Sequence, residues 1–151
     1  MIKTVRTNAE NEDFIELVKK LDADLAVTDG DEHAFYDQFN KLDAIKYVLL
    51  AFENGIPVGC GAIKAYGSDT MEIKRMYVAP DHRGKGIAAK VLAELEKWAG
   101  ELGFEKCILE TGTRQSSAIR LYLKSGYQQI PNYGQYAQVQ NSLCFGKSLK
   151  D

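Results

Sequence analysis

The stretch YVAPDHRGKGIAAKVL, residues 77–92, joins two kinds of structure and limits most strongly what this chain can fold into. It begins as an apolar β-prone segment, passes one proline and two glycines, and ends with helical spacing of its apolar residues. A helix N-terminus exposes backbone N–H groups and carries about half a positive charge. Because glycines lack the side chains that would hold a bulky anion away, the turn at residues 83–88 predicts a phosphate or diphosphate site.

The distribution of charge supports an anion site at this turn. The net charge of the whole chain is −2, so general attraction to nucleic acid is not expected. Residues 74–90 nevertheless hold five cations and one acid, and Arg83 and Lys85 flank the first glycine of the turn. Residues 8–54 hold twelve acids and four lysines. The pattern also fits two solvated faces of opposite sign, so charge alone leaves both interpretations open.

The composition is that of a single globular domain spanning residues 1–151. No apolar run approaches the length of about 18 residues that a membrane span needs, and the N-terminus lacks the apolar middle of a signal peptide. We therefore expect a cytoplasmic protein with no membrane partner. The three cysteines have no metal-ligand spacing and lie in strand-like segments, which favours small buried side chains, and His33 and His82 are too few to suggest a metal site.

The apolar spacing predicts an α/β fold with a mixed, mostly antiparallel central sheet and helices on both faces. Asn8 is the predicted cap of the first helix, and Asn54-Gly55 is the predicted hairpin turn. The first helix has an apolar stripe of Phe14, Leu17, Val18, Leu21 and Leu25. The predicted strands are residues 2–7, two within 44–67, then 69–78, 105–111, 127–130 and 142–149. The later predicted helices are residues 32–40, 84–102 ending at Gly103, and a serine-capped segment from Ser116 to Gly126.

A change of parity within residues 69–78 predicts a β-bulge. Met71 and Ile73 share one parity, whereas Met76 and Val78 share the other. Because successive side chains of a strand alternate between faces, one extra residue would return all four to the same face. If Tyr77 were itself a core residue, the parity would have a second explanation.

Two nucleotide-binding motifs do not fit the glycine turn. A P-loop needs Gly-x-x-x-x-Gly-Lys-Ser/Thr, and that spacing is missing. A dinucleotide fingerprint needs a third glycine where Ala89 stands. A nucleotide or phosphate binder is therefore the weakest of the functional hypotheses.

RGKGIA at residues 83–88 resembles the Arg/Gln-x-x-Gly-x-Gly/Ala signature of the GNAT superfamily, the acyl-CoA-dependent N-acetyltransferases. Three further stretches resemble the same family in the same order. EIKRMYVAP is similar to its fourth strand, ILETGTRQSSAIRLYLKSGY to its fifth strand and fourth helix, and NSLCFGKSL to its closing strand. The resemblance extends from about Glu72 to Leu149, and before Glu72 only the order and length of the elements agree.

The resemblance implies acetyl-CoA as co-substrate, no metal, and binding by backbone amides. The CoA diphosphate would rest on the turn, and the pantetheine arm would pair with the fourth strand beyond its bulge. Gln115 stands where the family commonly carries a CoA-contacting asparagine. The implied cofactor-binding residues are Met76, Tyr77, Val78, Arg83, Gly84, Lys85, Gly86, Ile87, Ala88 and Gln115.

The resemblance also implies catalytic roles. Tyr122 matches the tyrosine beside the CoA sulfur, which protonates the departing thiolate, although its helical spacing alone would suit a core aromatic. Glu72, and after it Glu110, is the candidate base that takes a proton from the attacking amine, although strand-end carboxylates can also be structural. The N–H of residue 78 would stabilise the developing oxyanion.

The acceptor would be bound by residues 25–40 and 131–141. The first region is acidic, and the second carries Tyr133 and Tyr136, which suits a small, cationic primary amine. Solvated loops with no part in recognition would have the same composition. The acids of the first region are Asp29, Asp31, Glu32 and Asp37. The resemblance also implies a possible homodimer, because dimers are frequent in the family. The alternative to an enzyme is a catalytically silent CoA-binding sensor or partner module.

Overall fold

The computed structural model describes residues 1–29 and 45–150, which form one seven-stranded sheet of order β1-β2-β3-β4-β5-β7-β6. The strands are β1 (Ile2–Thr7), β2 (Tyr47–Glu53), β3 (Ile56–Ala65), β4 (Thr70–Val78), β5 (Lys106–Gly112), β6 (Gln128–Ile130) and β7 (Ser142–Ser148). The described helices are α1 (Glu12–Asp29), α2 (Ile87–Glu101) and α3 (Ser116–Lys124). The helix predicted at residues 32–40, and the acids Asp31, Glu32 and Asp37, lie outside the described residues.

The sheet is mixed and mostly antiparallel, as the sequence predicts. Among the strands of the described residues, only β4 and β5 run parallel, joined by the crossover helix α2. Their pairing is short: Thr70–Glu72 faces Lys106–Ile108, and no further pairing joins the two strands. A cleft therefore opens between the part of β4 that follows Glu72 and the C-terminal end of β5, where the chain continues into α3.

Helices cover both faces of the sheet, which confirms the predicted fold class. Helix α1 packs on one face, and its side chains Phe14, Leu17 and Val18 are buried. Each such side chain contributes about 1.5–3 kcal/mol when fully buried. Helix α2 packs on the other face, joined by Tyr122 from α3. The buried residues of α2 are Ile87, Val91, Leu92, Leu95 and Ala99.

The first helix begins three residues later than its predicted cap implies. Asn11, not Asn8, caps α1: its Oδ1 accepts hydrogen bonds from the backbone N–H groups of Asp13, at 2.9 Å, and Phe14, at 3.2 Å. Asn8 Oδ1 instead accepts from Glu10 N, within the turn that precedes the helix. Both asparagines fit the cap preference, and the sequence did not separate them.

The other two helices also start differently from their predicted positions. Helix α2 begins at Ile87 rather than at residue 84, because Gly86 adopts a left-handed conformation at its N-cap. The predicted serine cap of α3 is wrong: Gln115 is the N-cap, and Ser116 is already helical. The predicted stops hold, since Gly103 and Gly126 follow the two helices with φ of 92° and 93°.

The hairpin and the cysteines follow their predictions. Asn54 and Gly55 form the turn between β2 and β3, with φ of 52° and 82°. Cys60, Cys107 and Cys144 are all buried and free. Burial raises the pKa of Cys60 and that of Cys107 to about 12, so neither thiol is poised as a nucleophile at neutral pH.

Within residues 1–29 and 45–150, no helix has both the length and the apolar character needed to cross a bilayer. In the same part of the chain, no three His, Cys, Asp or Glu side chains cluster in a way that could hold a metal ion.

Candidate active site

A cleft between the diverging strands β4 and β5 brings together the predicted catalytic residues Glu72, Glu110 and Tyr122 with Met76 and Gln115. The other predicted cofactor-binding residues, which include the glycine turn, do not line it. Its floor comes from β4 and the end of β5, one wall from α1 and the other from α3. The lining residues are Leu21, Leu25, Glu72, Ile73, Lys74, Arg75, Met76, Glu110, Thr111, Gly112, Gln115, Ala118, Tyr122 and Tyr136.

The predicted bulge lies in the middle of β4. Cys60 pairs with Tyr77 and Ala62 with Lys74, so Arg75 and Met76 together face Gly61 alone. Arg75 has a φ of 59°, in the left-handed region that non-glycine residues rarely adopt. A Cβ at Gly61 would come within 2.7 Å of Met76 Sδ, so a glycine is needed opposite the bulge. The extra residue returns Met76 and Val78 to the face of Met71 and Ile73, as the parity predicts.

Beyond the bulge, the polar backbone atoms of Val78 point towards the cleft side of β4. Ala79 N donates to Val58 O at 2.8 Å, so the N–H of Ala79 faces β3. Because peptide groups alternate along a strand, the N–H and carbonyl of Val78 face away from β3 and those of Tyr77 face towards it. The side chain of Tyr77 packs with α1. Of the predicted edge residues, Val78 therefore directs its N–H and carbonyl away from β3, where the carbonyl accepts a hydrogen bond from Arg83 Nε, whereas Tyr77 does not.

The glycine turn presents backbone rather than side chains. Gly84 and Gly86 have φ of 82° and 81°, and a Cβ at either would meet nothing within 4 Å. The glycines are thus required by conformation, not by a close neighbour. No side chain caps α2. The N–H groups of its first turn, which begins with Ile87 and Ala88, are therefore available to an anion.

Arg83 and Lys85 form ion pairs with acids of other elements, not with groups of α2. Arg83 Nε donates to Val78 O at 2.8 Å, and its Nη2 lies 3.1 Å from Asp24 of α1. Lys85 Nζ lies 3.0 Å from Glu53 of β2. The hydrogen bond from Lys85, and after it the one from His82, lowers the pKa of Glu53. Part of the positive charge that flanks the turn is therefore already balanced within the protein.

Tyr122 and Gln115 form the α3 wall of the cleft. Tyr122 is 6% exposed, and burial, reinforced by the charge of Glu110, raises the pKa of its phenol. The phenol therefore stays protonated through neutral pH. Gln115 Nε2 is buried and has no hydrogen-bond partner, which is unusual for an amide nitrogen. A ligand oxygen in the cleft would satisfy it.

The two predicted base candidates both lie in the cleft, and each is held by a hydroxyl group. Tyr133 donates to Glu72 Oε2 at 2.8 Å, and Ser142 donates to Glu110 Oε2 at 2.6 Å. Burial, and after it the charge of Glu72, raises the pKa of Tyr133. Tyr136 also lines the cleft, and its ring centroid lies 5.8 Å from that of Tyr133.

Sequence reasoning missed the cations of the cleft floor and their partners. Lys74 Nζ lies 3.9 Å from Glu72 Oε1, and both side chains are 8% exposed. Arg75 Nη1 donates to Asp22 of α1 at 2.9 Å. The parity change pointed to the position of Arg75, but no local pattern pairs β4 with Asp22, since 53 residues separate them.

A parallel strand pair that opens into a cleft, a bulge at the mid-point of β4 and an uncapped glycine turn define the candidate site of this α/β protein. The model of the Acetyltransferase (GNAT) family matches residues 10–127. The chain belongs to this family. The resemblance stated from RGKGIA and the flanking segments is therefore confirmed, and the match begins well before Glu72.

Individual relatives agree with the family. An IAA acetyltransferase of Azospirillum brasilense is 38% identical over 67% of each chain. An aminoalkylphosphonate N-acetyltransferase of Salmonella typhimurium is 33% identical over 74% of this chain and 77% of its own. A Klebsiella pneumoniae structure, for which acyl-CoA N-acyltransferase function has been suggested, superposes with a TM-score of 0.83 at 29% identity over 99% of both chains. An Elizabethkingia anophelis GNAT structure with acetyl-CoA bound shares the fold, at TM-score 0.71 and 19% identity over 97% of both chains.

Proposed function

We propose that this protein transfers the acetyl group of acetyl-CoA to a primary amine of a small molecule or peptide, by direct attack of the amine on the thioester. The observation that carries the proposal is the cleft that brings Gln115 and Tyr122 together with the carboxylates Glu72 and Glu110. A proton donor and two proton acceptors thus line one cleft. The glycine turn at residues 83–88 follows β4, the strand that forms the floor of this cleft.

The binding of CoA is assigned chiefly to backbone groups. The N–H groups at the start of α2 would hold the diphosphate, and the edge of β4 beyond the bulge would pair with the pantetheine arm. Gln115 Nε2, which is buried without a partner, would donate to a carbonyl of that arm. The Elizabethkingia structure, which holds acetyl-CoA in the same fold, supports acetyl-CoA as the ligand.

Tyr122 is the proposed acid. Acetyl-CoA supplies an activated acyl carbon whose C–S bond breaks as the new C–N bond forms. Tyr122 donates its phenolic proton to the departing sulfur. The raised pKa of Tyr122 keeps its phenol protonated until that step. The N–H of Val78, directed away from β3, would stabilise negative charge that develops on the carbonyl oxygen.

Glu72 is the proposed base, with Glu110 as the second candidate. A free alkylammonium has a pKa of about 10.4 and must lose a proton before it can attack. Glu72 can take that proton directly or through water. The hydrogen bond from Tyr133 fixes the orientation of this carboxylate. Glu110, fixed in the same way by Ser142, lies nearer the α3 wall.

An assay of thiol release tests the proposal. The protein is incubated with acetyl-CoA and a panel of amines, including polyamines, amino acids, amino sugars, peptides and, because of the name of the Salmonella relative, aminoalkylphosphonates. We expect amine-dependent release well above hydrolysis and an N-acetylated product by mass spectrometry. Binding of CoA without release for any amine would contradict catalysis and favour a CoA-binding sensor.

A further inference from the structure

The acceptor side of the cleft holds two cations as well as two carboxylates. Lys74 and Arg75 lie beside Glu72 on β4, and Glu110 faces them from β5. The side chain of Lys74 is 8% exposed and that of Arg75 only 4%. Burying four charged groups in one cleft is costly unless each meets an opposite charge.

The guanidinium of Arg75 is only partly satisfied. Asp22 binds Nη1, whereas Nε is buried and has no hydrogen-bond partner. The residue is also held at a φ of 59° by the bulge. Strained backbone and an unpaired buried donor both cost free energy, and proteins keep such features mainly where a ligand is bound. The Nε edge of a guanidinium suits a planar or tetrahedral acid group, which can accept two parallel hydrogen bonds.

Lys74 lies on the same floor, next to the proposed base. Its ammonium forms an ion pair with Glu72 at 3.9 Å from Oε1. Burial lowers the pKa of Lys74, so an additional anion in the cleft would stabilise its charged form. A polyamine would bring further positive charge against both Lys74 and Arg75, which disfavours it as the acceptor.

We propose that the acceptor is an amine that carries its own acid group, a carboxylate or a phosphonate, and that Arg75 and Lys74 bind this acid while the amine faces Glu72 and Glu110. The inference rests on the proposed acetyl transfer to amines and narrows its substrate class. A zwitterion matches the two carboxylates and two cations that line this side of the cleft.

Pairs of amines that differ only in the acid group provide the test. Alanine is compared with alaninamide, β-alanine with β-alaninamide, and 1-aminoethylphosphonate serves as the phosphonate arm. The amines of the amides are less basic than those of the acids, so a larger fraction of them is unprotonated at neutral pH. The amides would therefore react faster if the acid group were not recognised. We expect kcat/KM to favour the acid over its amide by roughly tenfold or more, which is the size of one charge-assisted hydrogen bond. Comparison of kcat/KM for the carboxylates with that for 1-aminoethylphosphonate then shows which acid group the acceptor carries.

Arg75→Lys and Lys74→Gln test the residues. The first keeps the positive charge but loses the Nε donor, and the second removes the neighbouring charge. Each should lower the acid-to-amide ratio of kcat/KM by roughly tenfold, and because the ratio compares two amines in the same variant, a change in the rate common to both amines does not affect it. Lys64→Gln is the matched control, since Lys64 of β3 lies opposite Glu72 of β4 but does not line the cleft. Denaturant unfolding and calorimetric titration with CoA show that each variant is folded.

Two outcomes would overturn the inference: equal use of acid and amide by the unmodified protein, or a ratio unchanged in both variants. If no probe is acetylated, the proposed function fails separately. Calorimetric titration of the CoA-saturated protein with alanine and alaninamide then still decides the inference. Tighter binding of the acid, lost in Arg75→Lys, supports it, and equal binding or none overturns it.

Discussion

The glycine turn follows the C-terminal end of β4, whereas the acceptor side of the cleft is built on β4 itself and on the end of β5, and the two offer a ligand different kinds of atoms. At the turn, two glycines with φ above 80° expose backbone N–H groups, and the flanking cations are paired elsewhere. At the acceptor side, buried side chains form the surface, held by hydroxyls from distant parts of the chain.

This difference suggests a division of specificity. A backbone site recognises what acyl-CoA molecules share, and its geometry needs only a few adjacent residues. A side-chain site can change its preference by single substitutions, because each charge and hydroxyl is contributed separately. Substitutions of Tyr122, which lies between the two sites, should therefore affect turnover. Substitutions in the acceptor side should affect proton transfer, and substitutions in the turn should affect CoA affinity.

The largest effect is expected at Tyr122, where the two sides meet. Tyr122→Phe should lower kcat by roughly a hundredfold or more, because the departing sulfur loses its proton donor, while KM for acetyl-CoA stays within about threefold. Stopped assays of thiol release across a pH series measure both. Because the pKa of Tyr122 is raised, we expect no loss of rate in the unmodified protein as pH approaches the ordinary tyrosine value of about 10.

Tyr127→Phe is the control for that substitution. The ring of Tyr127 lies 5.9 Å from that of Tyr122 but does not line the cleft. The same hydroxyl loss there should leave kcat nearly unchanged. Equal losses in the two variants would show that Tyr122 acts through packing rather than as an acid.

The next effect separates the two carboxylates. Glu72→Gln should lower kcat by roughly a hundredfold at neutral pH, and Glu110→Gln by less than about tenfold. The loss in Glu72→Gln should shrink as pH rises towards the amine's own pKa, about 10.4 for an alkylamine, since the acceptor then needs no base. A pH–rate profile of both variants with one amine measures this. A larger, pH-dependent loss in Glu110→Gln would move the base to β5.

The same division explains what the sequence could predict. RGKGIA identified the turn because glycine conformations and helix start lie within six adjacent residues. The parity of β4 located the bulge for the same reason. The contact between Tyr133 and Glu72 spans 61 residues and that between Ser142 and Glu110 spans 32, so neither could be predicted from local spacing. The predicted cap of α1 was wrong because Asn8 and Asn11, both asparagines, have the same intrinsic preference for the N-cap position.

A smaller effect tests the backbone role of the turn. Gly86→Ala should weaken CoA binding by roughly tenfold, because an alanine at a φ of 81° is strained and shifts the first N–H groups of α2. Gly55→Ala is matched to it: Gly55 has a φ of 82°, and a Cβ there likewise meets nothing within 4 Å. Both variants should lose about 1–2 kcal/mol of unfolding free energy. Calorimetry with CoA and denaturant unfolding distinguish them, since only Gly86→Ala should lose affinity.

The smallest effect concerns the cations that flank the turn. Lys85→Gln should change CoA affinity by less than about threefold, because the Lys85 ammonium is half-exposed and paired with Glu53. Lys90→Gln removes a lysine of α2 that donates to Ile2 O, and it should have a similarly small effect on CoA affinity. Both effects should diminish at high salt, as expected for exposed charges. A loss above about tenfold confined to Lys85→Gln would mean that this side chain leaves Glu53 to bind the ligand, and that the turn recognises CoA through charge as well as through its backbone.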